Sequence, residues 1–244
     1  MQLKEASILI VDDETVLLDI MGEIFEPITG KVFCVPNGAQ ALETLAGHRI
    51  DSIITDVRMP VMDGVTLLKK VKANGPQSPG VILVSGFTDI QGREAYDLGA
   101  EALLEKPLEL NDLIHVVQRS LLGLNERWQT PLDLSDCPVM RRSFPSLAVA
   151  LGEHQIAFGR GGFCMQAGGF LGEGPVNIEL TFRADGYAFS GQGIVRWLMH
   201  REDQIGIELT YVAESSRSRV IDLAEAAVSF IPQTTERRYQ PLAS

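Results

Sequence analysis

The chain has 244 residues, 45% of them apolar and 22% charged, with a formal net charge of -11. That length accommodates two domains with a core each, and the composition excludes fibrous, collagenous and disordered classes. The acidic balance argues against general nucleic-acid binding. No apolar stretch approaches the roughly 20 residues a membrane helix needs, and no signal-peptide pattern opens the chain, so a cytoplasmic protein without membrane insertion is expected. Cys34, Cys137 and Cys164 are an odd set without metal-ligand spacing, which fits thiols in a reducing compartment.

In chain order, the apolar run Ser7–Val11 is closed by Asp12 and Asp13. Val16, Leu17, Ile20, Met21, Ile24 and Phe25 follow at helical spacing. Asn37 and Gln40 are spaced like a capping box for a helix through Leu45. Ile53–Thr55 is closed by Asp56, and Gly64–Ala73 carries Val65, Leu68 and Val71 on one helical face. Val81–Val84 is closed by Ser85. The helix expected over Asp89–Leu98 is the weakest, with Gly92 inside it costing about 1 kcal/mol against alanine. Ala102–Glu105 is followed by Lys106-Pro107, and Asn111 or Asp112 can cap a helix with Leu113, Ile114, Val117 and Leu121 inward. Five strand–helix units predict a doubly wound α/β domain whose parallel sheet is covered on both faces.

In such a sheet the carboxyl ends of the strands line one crevice. Asp12, Asp13, Asp56, Ser85 and Lys106 therefore converge there, a set suited to phosphoryl chemistry. Asp56 is the candidate nucleophile, since a carboxylate accepts a phosphoryl group as an acyl phosphate. Repulsion between the two anions calls for a cation. Mg²⁺ suits the all-oxygen set of Asp12, Asp13 and Asp56. Lys106 supplies a fixed positive charge, and Ser85 a hydroxyl that can turn towards the new phosphate and bias a two-state element.

Ile8-Leu-Ile-Val-Asp-Asp-Glu14, Ile53-Ile-Thr-Asp-Val-Arg-Met-Pro60 with Asp63-Gly64, Val84-Ser-Gly86 and Lys106-Pro107 make residues 1–124 resemble a response-regulator receiver domain. The resemblance implies a flavodoxin-like fold and phosphorylation of Asp56 by a histidine kinase. It also implies Mg²⁺ held by Asp13, Asp56 and the Arg58 carbonyl with Asp12 assisting. Many receivers carry Phe or Tyr three residues before the lysine, where this chain has Leu103, so the aromatic rotamer coupling of that family is not carried over. A haloacid-dehalogenase-type phosphatase would need Asp-x-Asp at the first strand, which Asp12-Asp13-Glu14 breaks.

Residues 125–138 read as linker, since Thr130–Pro138 lacks periodicity and holds two prolines; Trp128 serves either as an interdomain anchor or as a packed residue. In residues 139–232 strands are expected at Ser146–Leu151, Gln155–Phe158, Phe163–Gln166, Val176–Phe182, Ala188–Leu198 and Gln204–Val212. The alternation of Val176, Ile178, Leu180 and Phe182 with polar residues suggests a small antiparallel barrel. A helix over Ser216–Phe230 and a loose tail over 233–244 complete the chain. All eleven basic residues after position 124 are arginine.

Gly159-Arg-Gly-Gly-Phe-Cys164, Pro175–Leu180, Gly191-Gln-Gly-Ile-Val-Arg-Trp197 and Gln204-Ile-Gly-Ile-Glu-Leu209 resemble a PilZ domain. Ligand-binding members hold cyclic di-GMP with Arg-x-x-x-Arg and an Asp/Asn-x-Ser-x-x-Gly turn. Here Pro145 and Ser146 stand four residues after Arg141 and Arg142, and Ala157 and Gly159 take the turn's acid and serine positions. Arg141, Arg142 and Arg160 are the remaining weak candidates for that ligand, which is not expected to bind. The resulting expectation is a non-enzymatic response regulator. A histidine kinase phosphorylates it, and phosphorylation gates contacts of a PilZ-like output domain with downstream proteins, not DNA, in motility, polarity or surface behaviour. A cyclic di-GMP receptor is the alternative, and a homodimer is left open.

Overall fold

The computed structural model describes residues 2–75, 77–86, 89–90, 92–129, 131, 134, 136–169, 172–199, 201, 203–225 and 227. The chain divides into two compact units with the boundary between Leu122 and Gly123.

The first unit contains strands β1 (Ser7–Val11), β2 (Lys31–Val35), β3 (Ser52–Asp56), β4 (Gly80–Ser85) and β5 (Ala102–Glu105). They form one parallel sheet in the order β2-β1-β3-β4-β5, the doubly wound flavodoxin-like order. Between them run helices α1 (Thr15–Phe25), α2 (Gly38–Gly47), α3 (Gly64–Lys72), α4 (Gly92–Asp97) and α5 (Leu110–Ser120). Successive strand residues point to opposite faces, and this splits the core in two. Leu9, Val11, Ile53, Val81 and Leu83 pack with Ala41, Leu67, Leu68 and Ala95 of α2, α3 and α4. Ile8, Ile10, Ile54, Ile82 and Val84 pack with Leu18, Phe25, Leu113 and Val117 of α1 and α5. Runs apolar at every position are what such two-sided burial requires.

Side-chain caps open two of these helices. The Asn37 Oδ1 accepts from the amides of Ala39 and Gln40 at 3.0 and 3.1 Å. Asp63 caps α3 through the Thr66 amide at 2.6 Å. Two expectations shift. Gly92 opens α4 rather than interrupting it, so the interior-glycine penalty does not apply. Helix α5 starts ahead of both proposed caps, with Glu109 at the N-cap position and Asp112 in the first turn, where its charge suits the helix dipole.

The second unit holds α6 (Leu124–Arg127), β6 (Val139–Phe144), α7 (Leu147–Gly152), β7 (Ile156–Gly159), β8 (Gly162–Gln166), β9 (Gly174–Phe182), β10 (Tyr187–Met199), β11 (Gln204–Val212) and α8 (Glu214–Glu225). The strands form a six-stranded sheet in the order β6-β9-β10-β11-β8-β7, antiparallel except for the β6/β9 pair. Among the described residues no ladder joins β6 to β7, so the barrel expected from sequence is a sheet with two edges. In β9 every second residue from Gly174 to Phe182 is buried, as its alternation predicts.

Three differences from the sequence reading stand out. The segment 146–151 is the helix α7 and not a strand. Ser146 accepts from the Val149 amide at 3.1 Å, and Leu147 and Ala150 turn inward, so a cap and alanines outweigh one β-branched valine. Strand β6 was not foreseen; it pairs Met140 with Ile178 and Phe144 with Phe182, burying those two of its residues. The stretch assigned to a linker begins inside this unit. Trp128 is fully buried in the core with Phe163, Phe189 and Ile207, and its carbonyl accepts from the Val212 amide at 3.0 Å. It is a packed residue. The expected end of the last helix at 226 and 228–230, and the tail over 233–244, lie outside the described residues.

Candidate functional site

The parallel sheet brings residues far apart in sequence to one edge. Asp12 and Asp13 follow β1, Asp56 ends β3, Ser85 ends β4 and Lys106 follows β5. Asp56 is 7% exposed and Ser85 3%. The Lys106 ammonium makes its shortest ion pair with Asp56 Oδ1 and stands 3.5 Å from Asp12 Oδ2. The other Asp56 oxygen accepts from the Arg58 amide at 2.6 Å. Asp12 Oδ1 accepts from the Glu14 amide at 2.9 Å. The Ser85 hydroxyl donates to the carbonyl of Gly86 at 2.6 Å. Asp13, Glu14, Asp56, Arg58, Gly86, Asp89 and Lys106 line one open hollow.

The electrostatics follow from these contacts. Burial holds the Asp12 carboxyl above the usual carboxylate range; the Asp56 charge adds to this, and the Glu14 amide and Lys106 oppose it. Burial alone would lower the Lys106 ammonium, but its hydrogen bond to Asp56 and the charges of Asp12 and Asp56 outweigh it and the net direction is up. Lys106 thus stays a cation, and one lysine faces more than one acid.

Among the described residues no three His, Cys, Asp or Glu side chains form a group that could hold a metal by themselves. Of the three acids named from sequence, Asp12 is committed to Lys106 and the Glu14 amide. Asp13, Asp56 and the Arg58 carbonyl are an all-oxygen set of the kind Mg²⁺ takes when it keeps several waters. The donor chemistry fits that ion without a third carboxylate.

The model of the response regulator receiver domain matches residues 8–118. Sporulation initiation phosphotransferase F of Bacillus subtilis is 30% identical over 115 residues, which are 47% of this chain and 92% of that relative. The chain belongs to the response regulator receiver family. The receiver match to the DNA-binding transcriptional regulator NtrC of Escherichia coli K12 is 37% identical over 94 residues, 38% of this chain and 20% of that protein. The chain thus spans only a fifth of that regulator's length, and 32% of regulatory protein AtoC from the same strain. Among solved structures, the signal receiver domain of a signal transduction histidine kinase from Syntrophus aciditrophicus is 30% identical, with 52% of this chain and 98% of that chain covered at a TM-score of 0.45.

The sequence motif contained Gly64 without the reason for a glycine there, and it did not mark Asp89 as a site residue. A Cβ at Gly64 would stand 2.1 Å from the Asp56 carbonyl oxygen, so glycine there lets α3 begin against the end of β3. Asp89 binds the Gly86 amide at 2.7 Å and pairs with the Arg58 side chain. Its position shortly after the strand was a faint signal, since Asp often solvates nearby backbone amides, but its partner across the site was not legible.

In the second unit two of the three weak ligand candidates have other occupations. The Arg141 Nε donates to Glu179 at 2.7 Å. The Arg142 guanidinium donates to the carbonyls of Ala167, Gly168 and Arg141. Arg160 sits with Gly161 in the two-residue turn joining β7 to β8. The Gly161 carbonyl accepts from the Leu209 amide at 2.9 Å. A Cβ at Gly162 would lie 1.9 Å from the Ile207 carbonyl oxygen, so that glycine serves close strand packing.

Proposed function

We propose that the protein is a cytoplasmic response regulator whose receiver takes a phosphoryl group on Asp56 from a histidine kinase and whose second unit is a PilZ-like output module. The observation that carries this is the Asp56 carboxylate, held by Lys106 on one oxygen and the Arg58 amide on the other, at the carboxyl edge of a parallel sheet. An Asp56 oxygen attacks the phosphorus of a phosphohistidine. The new P–O bond forms as the P–N bond breaks, and the imidazole leaves with the electron pair and takes up a proton. A magnesium ion bound by Asp13, Asp56 and the Arg58 carbonyl would screen the repulsion between carboxylate and phosphoryl. Lys106 orients the acceptor and neutralises charge on the product, while Ser85, whose hydroxyl now faces the Gly86 carbonyl, turns to donate to the phosphoryl oxygens.

The output is a protein contact rather than catalysis or DNA recognition, and its field is motility, polarity or surface behaviour. The pairing of β9, β10 and β11 and the motifs they carry support the PilZ-like reading. The engagement of Arg141 with Glu179, and of Arg142 with three carbonyls, supports an output without cyclic di-GMP. Incubation with labelled acetyl phosphate and MgCl₂ tests the acceptor: wild type takes up label and Asp56→Asn does not. Label retained by Asp56→Asn would falsify the assignment.

A further inference from the structure

Asp89 is a charged group on the rim of the phosphoryl hollow to which neither the sequence motifs nor the transfer chemistry gives a task. Its side chain is 8% exposed, whereas that of its partner Arg58 is 74% exposed. One Asp89 oxygen takes the Arg58 guanidinium and the other takes the Gly86 amide at 2.7 Å. The same Arg58 offers its own amide to Asp56, and the carbonyl of the same Gly86 takes the Ser85 hydroxyl. A single buried carboxylate therefore ties the loop after β3 to the loop after β4, and each tie lies one bond network away from a reacting group.

We infer that Asp89 is a positioning residue of the receiver, competing with the phosphoryl group for Arg58. The inference rests on the proposed acceptor role of Asp56. An acyl phosphate carries more negative charge than the carboxylate it replaces, and Lys106 already pairs with Asp56. Arg58 offers a second cation on a long, exposed side chain, anchored by its backbone amide on Asp56. While Asp89 holds the guanidinium, the phosphoryl state is disfavoured and Gly86 stays in the position that occupies the Ser85 hydroxyl. When Arg58 turns to the phosphoryl oxygens, Asp89 loses half of its partners, and its hold on the Gly86 amide, next to Ser85 at the end of β4, loosens. The ion pair thus opposes phosphorylation, and its rupture is coupled to the movement of Ser85.

The test is the affinity of the full chain for beryllofluoride in MgCl₂, measured by calorimetry. Asp89→Asn keeps an acceptor for the Gly86 amide and removes only the charge. It should bind roughly 5- to 10-fold tighter than wild type, the size of a modest coupling between sites. In an Arg58→Ala background the same substitution should change affinity by less than about 2-fold, and Arg58→Lys should restore part of the gain. A purely structural role for Asp89 would show in the unfolding midpoint and would not depend on residue 58. Equal or weaker binding by Asp89→Asn, or an undiminished gain without Arg58, overturns the competition while leaving the acceptor in place. Failure of wild type to bind beryllofluoride, or equal binding by Asp56→Asn, overturns the acceptor reading and the competition with it.

Discussion

The two sheets use the same charged residue types in opposite ways. In the receiver every strand runs in one direction, so Asp12, Asp56 and Lys106, carried by three strands, meet at one edge with Asp13 nearby. Their charges do not cancel one to one, and the surplus of acid is what makes the edge a site for a cation and a phosphoryl group. In the second unit the strands mostly alternate in direction, and charges are met by neighbours along the ladder. Arg196 on β10 pairs with Glu208 on β11 at 2.6 Å, and Arg141 on β6 pairs with Glu179 on β9 at 2.7 Å. Parallel topology concentrates polar chain ends, whereas antiparallel topology disperses them. That difference separates an edge that gathers charge from a sheet that pairs it off along its ladders.

Removing Glu208 breaks the paired arrangement most severely. It is 2% exposed, and its loss leaves the buried Arg196 guanidinium without its carboxylate. Glu208→Ala should destabilise the second unit by about 3–5 kcal/mol, read as an earlier unfolding transition in denaturant. Uptake of phosphoryl label by Asp56 should persist in this variant under native conditions. A loss under about 1 kcal/mol would show that the pair is solvated and that the contrast between the two sheets is overstated.

Much of the receiver was legible because its signals are local and repeated. Runs such as Val81–Val84 are apolar at each position, and each ends on the polar residue that reaches the edge. The second unit was read less well because its decisive facts are long-range. Strand β6 offers only Met140 and Phe144 as inward residues, and its pairing with β9 depends on a partner almost 40 positions away. Glu208 stands between the apolar Ile207 and Leu209, a spacing that turns it away from their face, yet β11 is buried on both faces from Ile205 to Thr210. The Arg58–Asp89 bridge failed to register for the same reason, since no spacing rule links two loops that the sheet brings together.

The receiver edge can be probed through its own imbalance. The Asp12 carboxyl is held above the usual range, chiefly by burial, so its ionised form costs stability in the folded state. The sign follows directly. The folded chain binds this proton more tightly than the unfolded one, so the penalty is full above the raised value and vanishes below the unfolded value of 3.8. Asp12→Asn should therefore melt at a higher temperature than wild type at neutral pH in the absence of magnesium, with the gap closing as the pH falls through that window. A gap that stays constant with pH, or has the opposite sign, would mean that Lys106 more than compensates for the burial of this acid.

The smallest effect belongs to Arg141, and it sharpens the contrast because the residue looks functional in the sequence. Its side chain is 67% exposed and that of Glu179 51%, so the pair is screened by solvent and holds two long side chains at an entropic cost. Arg141→Ala should change stability by less than about 1 kcal/mol. A ligand site would behave differently: cyclic di-GMP gripping phosphate through Arg141 must first displace Glu179, and the released carboxylate would then repel the dinucleotide. Titration of wild type with cyclic di-GMP should give no binding heat, and Glu179→Gln should not create any. Binding that appears in Glu179→Gln and disappears again with Arg141→Ala would show that the carboxylate masks a working phosphate grip, and would make the second sheet a latent receptor.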